Sequence, residues 1–158
     1  INCAGISYNS FVHKADPVQW KKVIDVNLLG TFYMSHALLP VMRSNGYGRI
    51  INFASVVTKY PTPGVSAYAV SKSGINTLTK ALSLENASRG ITVNSLNLGY
   101  TNAGMGLHDV PEAYKKMIME HIPLHRFCEP FEVFNIISCI IKTEYLTGSI
   151  IDVNGGLL

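Results

Sequence analysis

Apolar residues recur at three- or four-residue intervals through Trp20, Val23, Ile24, Leu28, Phe32 and Leu39, the spacing of one face of an amphipathic helix. Asp16 followed by Pro17 marks its start, and Asn45-Gly46 marks its end. Pro40 predicts a kink inside it, because proline has no N–H to continue the helical ladder. The period then changes. Short apolar runs at residues 49–54 and 91–97, bounded by glycine and serine, predict two buried strands. Between them the pattern returns to a long helix over residues 67–89, closed by Gly90 just past its end. Pro111 and Pro130 each open a further helical pattern. The second carries Phe131, Phe134, Ile137, Ile140 and Ile141 as one expected face, and residues 149–153 form the last strand.

Strands alternating with helices of this length are βαβ units. They predict an α/β fold, a Rossmann-like doubly wound parallel sheet with right-handed crossovers and helices on both faces. No internal repeat or Pro/Gly/Ser tract divides the chain, so residues 1–158 read as one domain. With 47% hydrophobic and 15% charged residues, disorder is excluded. The net charge of +3 is dispersed, with no like-charge run longer than Lys21-Lys22 or Lys115-Lys116, so neither nucleic acid nor a membrane surface is an expected partner. The apolar stretch at residues 136–141 is far shorter than the roughly 18 residues of a membrane helix. Three cysteines make no disulfide framework, which fits a reducing, cytoplasmic setting.

The main chemical signal is Tyr68-Ala-Val-Ser-Lys72. A spacing of four on a helix puts phenol and ammonium on one face, one turn apart. A phenol works in acid–base chemistry near neutral pH only when a neighbouring cation favours its phenolate, and Lys72 is that cation. With eight tyrosines and nine lysines in 158 residues, about half a pair at this spacing is expected by chance. Placement lifts it above chance. Ser55 follows the carboxyl end of a predicted strand, where open α/β sheets gather their sites, and Asn27 falls among apolar helix positions where an amide needs a partner. Elsewhere the signals are weaker. His121 and His125 are four apart but straddle Pro123 with no completing carboxylate, so no metal site is expected. His13, His36 and His108 read as ordinary histidines, and Cys128 and Cys139 as core thiols.

In order along the chain stand Asn2-Cys-Ala-Gly5, Asp25-Val-Asn-Leu-Leu-Gly30, Gly48 through Ser55, Tyr68-x-x-x-Lys72, Val93-Asn94 leading to Gly99, and Gly148 through Gly156. With these motifs the chain resembles the short-chain dehydrogenase/reductase family over its whole length. The resemblance implies an NAD(P)-dependent oxidoreductase moving hydride between NAD or NADP and a carbonyl or alcohol substrate, similar to the 3-oxoacyl-carrier-protein reductases. It implies that Tyr68 exchanges the proton, Ser55 hydrogen-bonds the substrate oxygen, Lys72 holds the nicotinamide ribose and lowers the phenol pKa, and Asn27 assists a relay water. It places cofactor contacts at Cys3, Ala4, Gly5, Tyr68, Lys72, Leu98, Gly99 and Thr101. Met105, Leu107, Tyr114 and Met117 resemble its substrate lid, and its long helices commonly pair between subunits, implying a homo-oligomer, a dimer or tetramer.

Three departures stand out. Cys3 replaces an asparagine in the first motif, and Leu98-Gly99-Tyr-Thr-Asn-Ala103 lacks the usual proline and later threonine. The Gly-rich turn that holds the pyrophosphate is absent. By this reading the chain is the carboxyl-terminal part of its domain, about 80–90 residues of strand–helix units preceding Ile1. Alone it is expected to be inactive; a non-catalytic scaffold without cofactor is the alternative.

Overall fold

A computed structural model describes residues 1–108 and 110–157, and the side chains of Leu107 and His108 lie outside the described residues. The stretch expected as one long helix forms α1 (Pro17–Ile24) and α2 (Gly30–Asn45), joined by a π-helical turn over Asp25–Leu29. At its start the Asp16 side chain accepts from the Val18 amide at 2.8 Å, satisfying a first-turn N–H that the helix itself cannot. The irregularity therefore falls at Asp25–Leu29, while Pro40 lies inside α2. A π turn holds one residue more than an α turn, and here the wider turn carries the buried Asn27.

Three strands follow, β1 (Gly48–Ser55), β2 (Ile91–Leu98) and β3 (Ile150–Val153), all parallel in the order β1-β2-β3. β1 and β2 pair in register from Gly48 with Ile91 to Ser55 with Leu98. On the other edge of β1, Asn2 makes a parallel bridge. Its N–H donates to Ile51 O at 2.9 Å, and Phe53 N–H donates to Asn2 O at 3.0 Å.

Side chains alternate between the sheet's faces, and each face has its own core. On one, Ile50, Ile91 and Val93 pack with Leu39 and Met42 of α2 and with Leu78 and Leu82 of α3 (Ser66–Asn86). On the other, Ile51 and Leu96 pack against Val133, Ile136, Ile137 and Ile140 of a carboxyl-terminal helix (Pro130–Lys142). This is the parallel α/β sheet covered on both faces that the alternation predicts. After α3 a 3-10 turn, Ala87–Arg89, leads to Gly90 at φ +72°, where an added Cβ would lie 2.3 Å from Gly46 O. Only glycine meets both conditions.

The chain beyond β2 forms α4 (Gly104–His108), α5 (Glu112–His121) and α6, the helix over Pro130–Lys142. Pro111 is the N-cap of α5 and Pro130 opens α6. α6 starts on a capping box, with Glu129 N–H donating to Glu132 Oε2 at 2.8 Å, and Arg126 clamps the same carboxylate through two bonds of 2.7 Å. The expected apolar face of α6 is corrected in part. Val133, Ile136, Ile137 and Ile140 face the sheet, whereas Phe131 and Phe134 point to solvent. Two stripes coexist on this helix, and only the one at i, i+3, i+4, i+7 from Val133 meets β1 and β2. Cys139 is also exposed rather than a core thiol, while Cys128 packs beside the second core.

Candidate active site

Both parallel strands end at the same edge, so Ser55 and Leu98 finish side by side. A 3-10 turn at Val56–Thr58 then leads the chain to α3, and the Val57 amide donates to Ser55 Oγ at 3.3 Å. Because α3 begins at Ser66 and packs on β1 and β2, its first two turns lie against this edge. The Trp20 indole N–H donates to Ser66 Oγ at 3.1 Å and ties α1 to the start of α3.

Tyr68 is half-buried on the first turn of α3 and Lys72 is buried one turn later. The Lys72 ammonium donates to the carbonyl of Phe53, two residues before Ser55, at 2.7 Å. It also lies 5.6 Å from the centroid of the Tyr68 ring, over its face. Burial pushes the phenol above its ordinary range, and the Ser55 hydroxyl works the other way. Burial likewise pushes the ammonium down to about 8, with Cys3 opposing. Here the cation faces the ring, and desolvation outweighs the Ser55 hydrogen bond in moving the phenol upward.

Asn27 stands at the same place with every polar atom of its side chain engaged. Its Oδ1 accepts from Ile6 N–H at 2.8 Å, and its Nδ2 donates to Ile6 O and to Ser71 Oγ at 3.0 Å each. Its carbonyl accepts from the Thr31 hydroxyl at 2.8 Å. The side chain thus holds the residues after Asn2-Cys-Ala-Gly5 rather than presenting a free group. A Cβ at Gly5 would lie 3.4 Å from Asn27 Oδ1 and 3.5 Å from Lys72 Nζ, so the loop carrying Cys3 and Ala4 runs directly past the ammonium. Cys3 is exposed there.

Beyond β2, Gly99 N–H donates to Val153 O at 2.9 Å, and Thr101 bridges Cys128. Leu98, Gly99 and Thr101 therefore follow the same strand edge as Ser55 but on the next strand. Of the lid residues, Tyr114 and Met117 are exposed on α5, Met105 is half-buried, and the Leu107 side chain lies outside the described residues. The paired histidines make backbone contacts, His121 Nδ1 with Met117 O at 2.7 Å and His125 Nδ1 with Met119 O at 3.3 Å. Sequence reasoning overlooked two groups that shape the site, the Phe53 carbonyl and the Ser71 hydroxyl. Main-chain acceptors carry no sequence signal; Ser71 lay inside the Tyr-x-x-x-Lys motif.

A parallel sheet covered by helices on both faces, with the candidate residues gathered at its carboxyl edge, is the layout of a Rossmann-like α/β protein. The short chain dehydrogenase family model matches residues 1–112. The acetoacetyl-CoA reductase of Rhizobium meliloti (strain 1021) is 40% identical to the chain, the alignment covering 99% of the chain and 66% of that relative. The acetoacetyl-CoA reductase of Shinella zoogloeoides is 38% identical with the same coverage. The 3-oxoacyl-acyl-carrier-protein reductase of Thermotoga maritima is 36% identical over 100% of the chain and 65% of the relative. The chain spans about two-thirds of the length of the curated relatives it matches. It belongs to the short chain dehydrogenase family.

Proposed function

We propose that the protein is an NAD(P)-dependent oxidoreductase that reduces the ketone of a 3-oxoacyl thioester to the alcohol, with Tyr68 as proton donor. The observation that carries this reading is geometric: half-buried Tyr68 and the buried Lys72 ammonium, 5.6 Å from its ring centroid, share one face of α3 beside Ser55 at the carboxyl end of β1. The names of the relatives, acetoacetyl-CoA reductase and 3-oxoacyl-acyl-carrier-protein reductase, support the substrate class.

The donor set fits a dinucleotide. Lys72 has three N–H donors and one is engaged, at Phe53 O. A buried ammonium without a carboxylate partner suits a pair of ribose hydroxyls, and the close-lying Cys3-Ala4-Gly5 loop offers backbone to the same ligand. Leu98, Gly99 and Thr101 hold the nicotinamide side in this reading. Bound NADH or NADPH supplies the hydride. The chain supplies the rest. Ser55 Oγ–H hydrogen-bonds the substrate oxygen, Tyr68 Oη–H gives its proton to that oxygen as charge develops, and Lys72 stabilises the tyrosinate left behind.

The same reading extends to assembly and setting. Phe32, Tyr33, Met34, Leu38 and Val41 of α2 and Val70 and Leu84 of α3 are exposed, an apolar surface that supports a homo-oligomer. No helix among the described residues is long and apolar enough to cross a membrane, and the three free cysteines support a cytoplasmic setting. The test is oxidation of reduced nicotinamide by the full-length protein with acetoacetyl-CoA and longer 3-oxoacyl thioesters. Turnover dependent on Tyr68 supports the reading. No turnover with any of them, in protein that binds the dinucleotide, rejects the substrate class.

A further inference from the structure

Ser71 is fully buried between Tyr68 and Lys72, and its hydroxyl is used in both directions. Its Oγ–H donates to the Tyr68 carbonyl at 2.8 Å, and the same oxygen accepts from Asn27 Nδ2 at 3.0 Å. Asn27 completes the connection through its two bonds to the Ile6 backbone, at 2.8 and 3.0 Å. Three segments distant in sequence meet in this chain of bonds. They are the loop past Gly5, the π turn between α1 and α2, and the first two turns of α3. The Asn27–Ser71 bond is buried, where an unmatched donor or acceptor costs most, and the other three are partly buried.

We propose that Ser71 is a positioning residue, locking the Tyr68–Lys72 face of α3 in register with the cofactor-side loop through Asn27. A serine within a helix commonly bonds a carbonyl of the preceding turn and needs no second partner. Here the second partner exists only because the π turn carries Asn27 inward, so the pairing joins two helices rather than serving one. Without the hydroxyl, the freed Asn27 Nδ2–H has no partner from α3, and this tie between the loop and the helix is lost. The ammonium then loses its fixed place between the loop, where a Gly5 Cβ would be 3.5 Å from it, and the ring, 5.6 Å away. This inference rests on the oxidoreductase reading above.

The test compares Ser71→Ala with Ser71→Thr, which keeps the hydroxyl, in the full-length protein. NADH and NADPH are titrated by calorimetry, and kcat, KM and the pH profile of kcat are measured with acetoacetyl-CoA. Ser71→Ala is expected to weaken dinucleotide binding about fivefold or more and to lower kcat about tenfold, leaving KM for the thioester within about twofold. It also moves the Tyr68-dependent limb of the kcat profile by half a pH unit or more, which mere loss of stability does not do. Ser71→Thr restores both constants to within about threefold; if that variant does not fold, Ser71→Cys takes its place. Wild-type constants and an unmoved profile in folded Ser71→Ala overturn the inference while the reductase reading stands. If the wild type binds dinucleotide but reduces no thioester, the substrate reading fails and the dissociation constants alone decide the role of Ser71. A wild type that binds neither dinucleotide overturns both.

Discussion

Lys72 is held by Phe53: its buried ammonium donates to that strand carbonyl at 2.7 Å and has no carboxylate beside it among its hydrogen bonds. A cation placed in this way is costly to the fold and useful to a ligand. Replacing it with a methionine of similar length is expected to stabilise the protein by about 1–3 kcal/mol while abolishing dinucleotide binding. The pH dependence has a definite sign. Lys72 is held down at about 8 in the fold against 10.5 when unfolded, so between those values the unfolded chain binds more protons and stability rises with pH. Chemical denaturation from pH 7 to 10 should show that rise in the wild type and a smaller one in Lys72→Met.

Tyr68→Phe is expected to remove nearly all turnover while leaving dinucleotide affinity within about twofold, because the proton resides on the hydroxyl and the ring remains. Steady-state kinetics with cofactor titration decide it. Turnover within a few-fold of wild type would remove Tyr68 from the chemistry.

Ser55 lowers a phenol that burial raises. Ser55→Ala should therefore push Tyr68 further up. Alcohol oxidation, which needs the phenolate, is expected to fall about 10- to 100-fold and to shift its pH profile to higher pH. The profile measured in the oxidative direction shows whether the shift occurs.

At the amino end of α6, hydrogen bonding by Arg126 and by the Glu129 backbone holds the Glu132 carboxyl down at about 2. Its contribution is complete above the unfolded value of 4.5 and is lost as pH falls through about 2. Glu132→Gln should lack that component of acid unfolding, visible as a flatter dependence of the urea midpoint on pH between 5 and 2.

Gly99 has its own steric limit. A Cβ there would lie 2.9 Å from Asn154 Cα, a backbone atom that cannot simply rotate away. Gly99→Ala is expected to cost about 1–3 kcal/mol and to displace the loop leading to Thr101. Thermal unfolding reads the first effect and dinucleotide titration the second.

The strands, α3 and its Gly90 stop could be read from the sequence because local period and turn chemistry decide them. So could the common face of Tyr68 and Lys72, which follows from helical spacing alone. The π turn could not, since one extra residue scarcely disturbs an apolar stripe that runs from Trp20 to Leu39 by three- and four-residue steps. The outward turn of Phe131 and Phe134 was equally hidden. Two apolar stripes on α6 look alike until the sheet selects one. At the site the missing information was tertiary: burial pushes the Tyr68 phenol up and the Lys72 ammonium down, and the Phe53 carbonyl that anchors the ammonium belongs to the main chain.

The extra residue at Asp25–Leu29 also fixes how the chain tolerates insertion and deletion. Deleting one residue there would restore an unbroken α-helix, a locally favourable change, but would rotate α1 by about 100° relative to α2. Trp20 would swing away from Ser66 and Asn27 from Ile6 and Ser71, so several distant contacts would be lost together. Single-residue length changes should accordingly be far better accepted in the exposed turn at residues 61–63 than in this one helical turn.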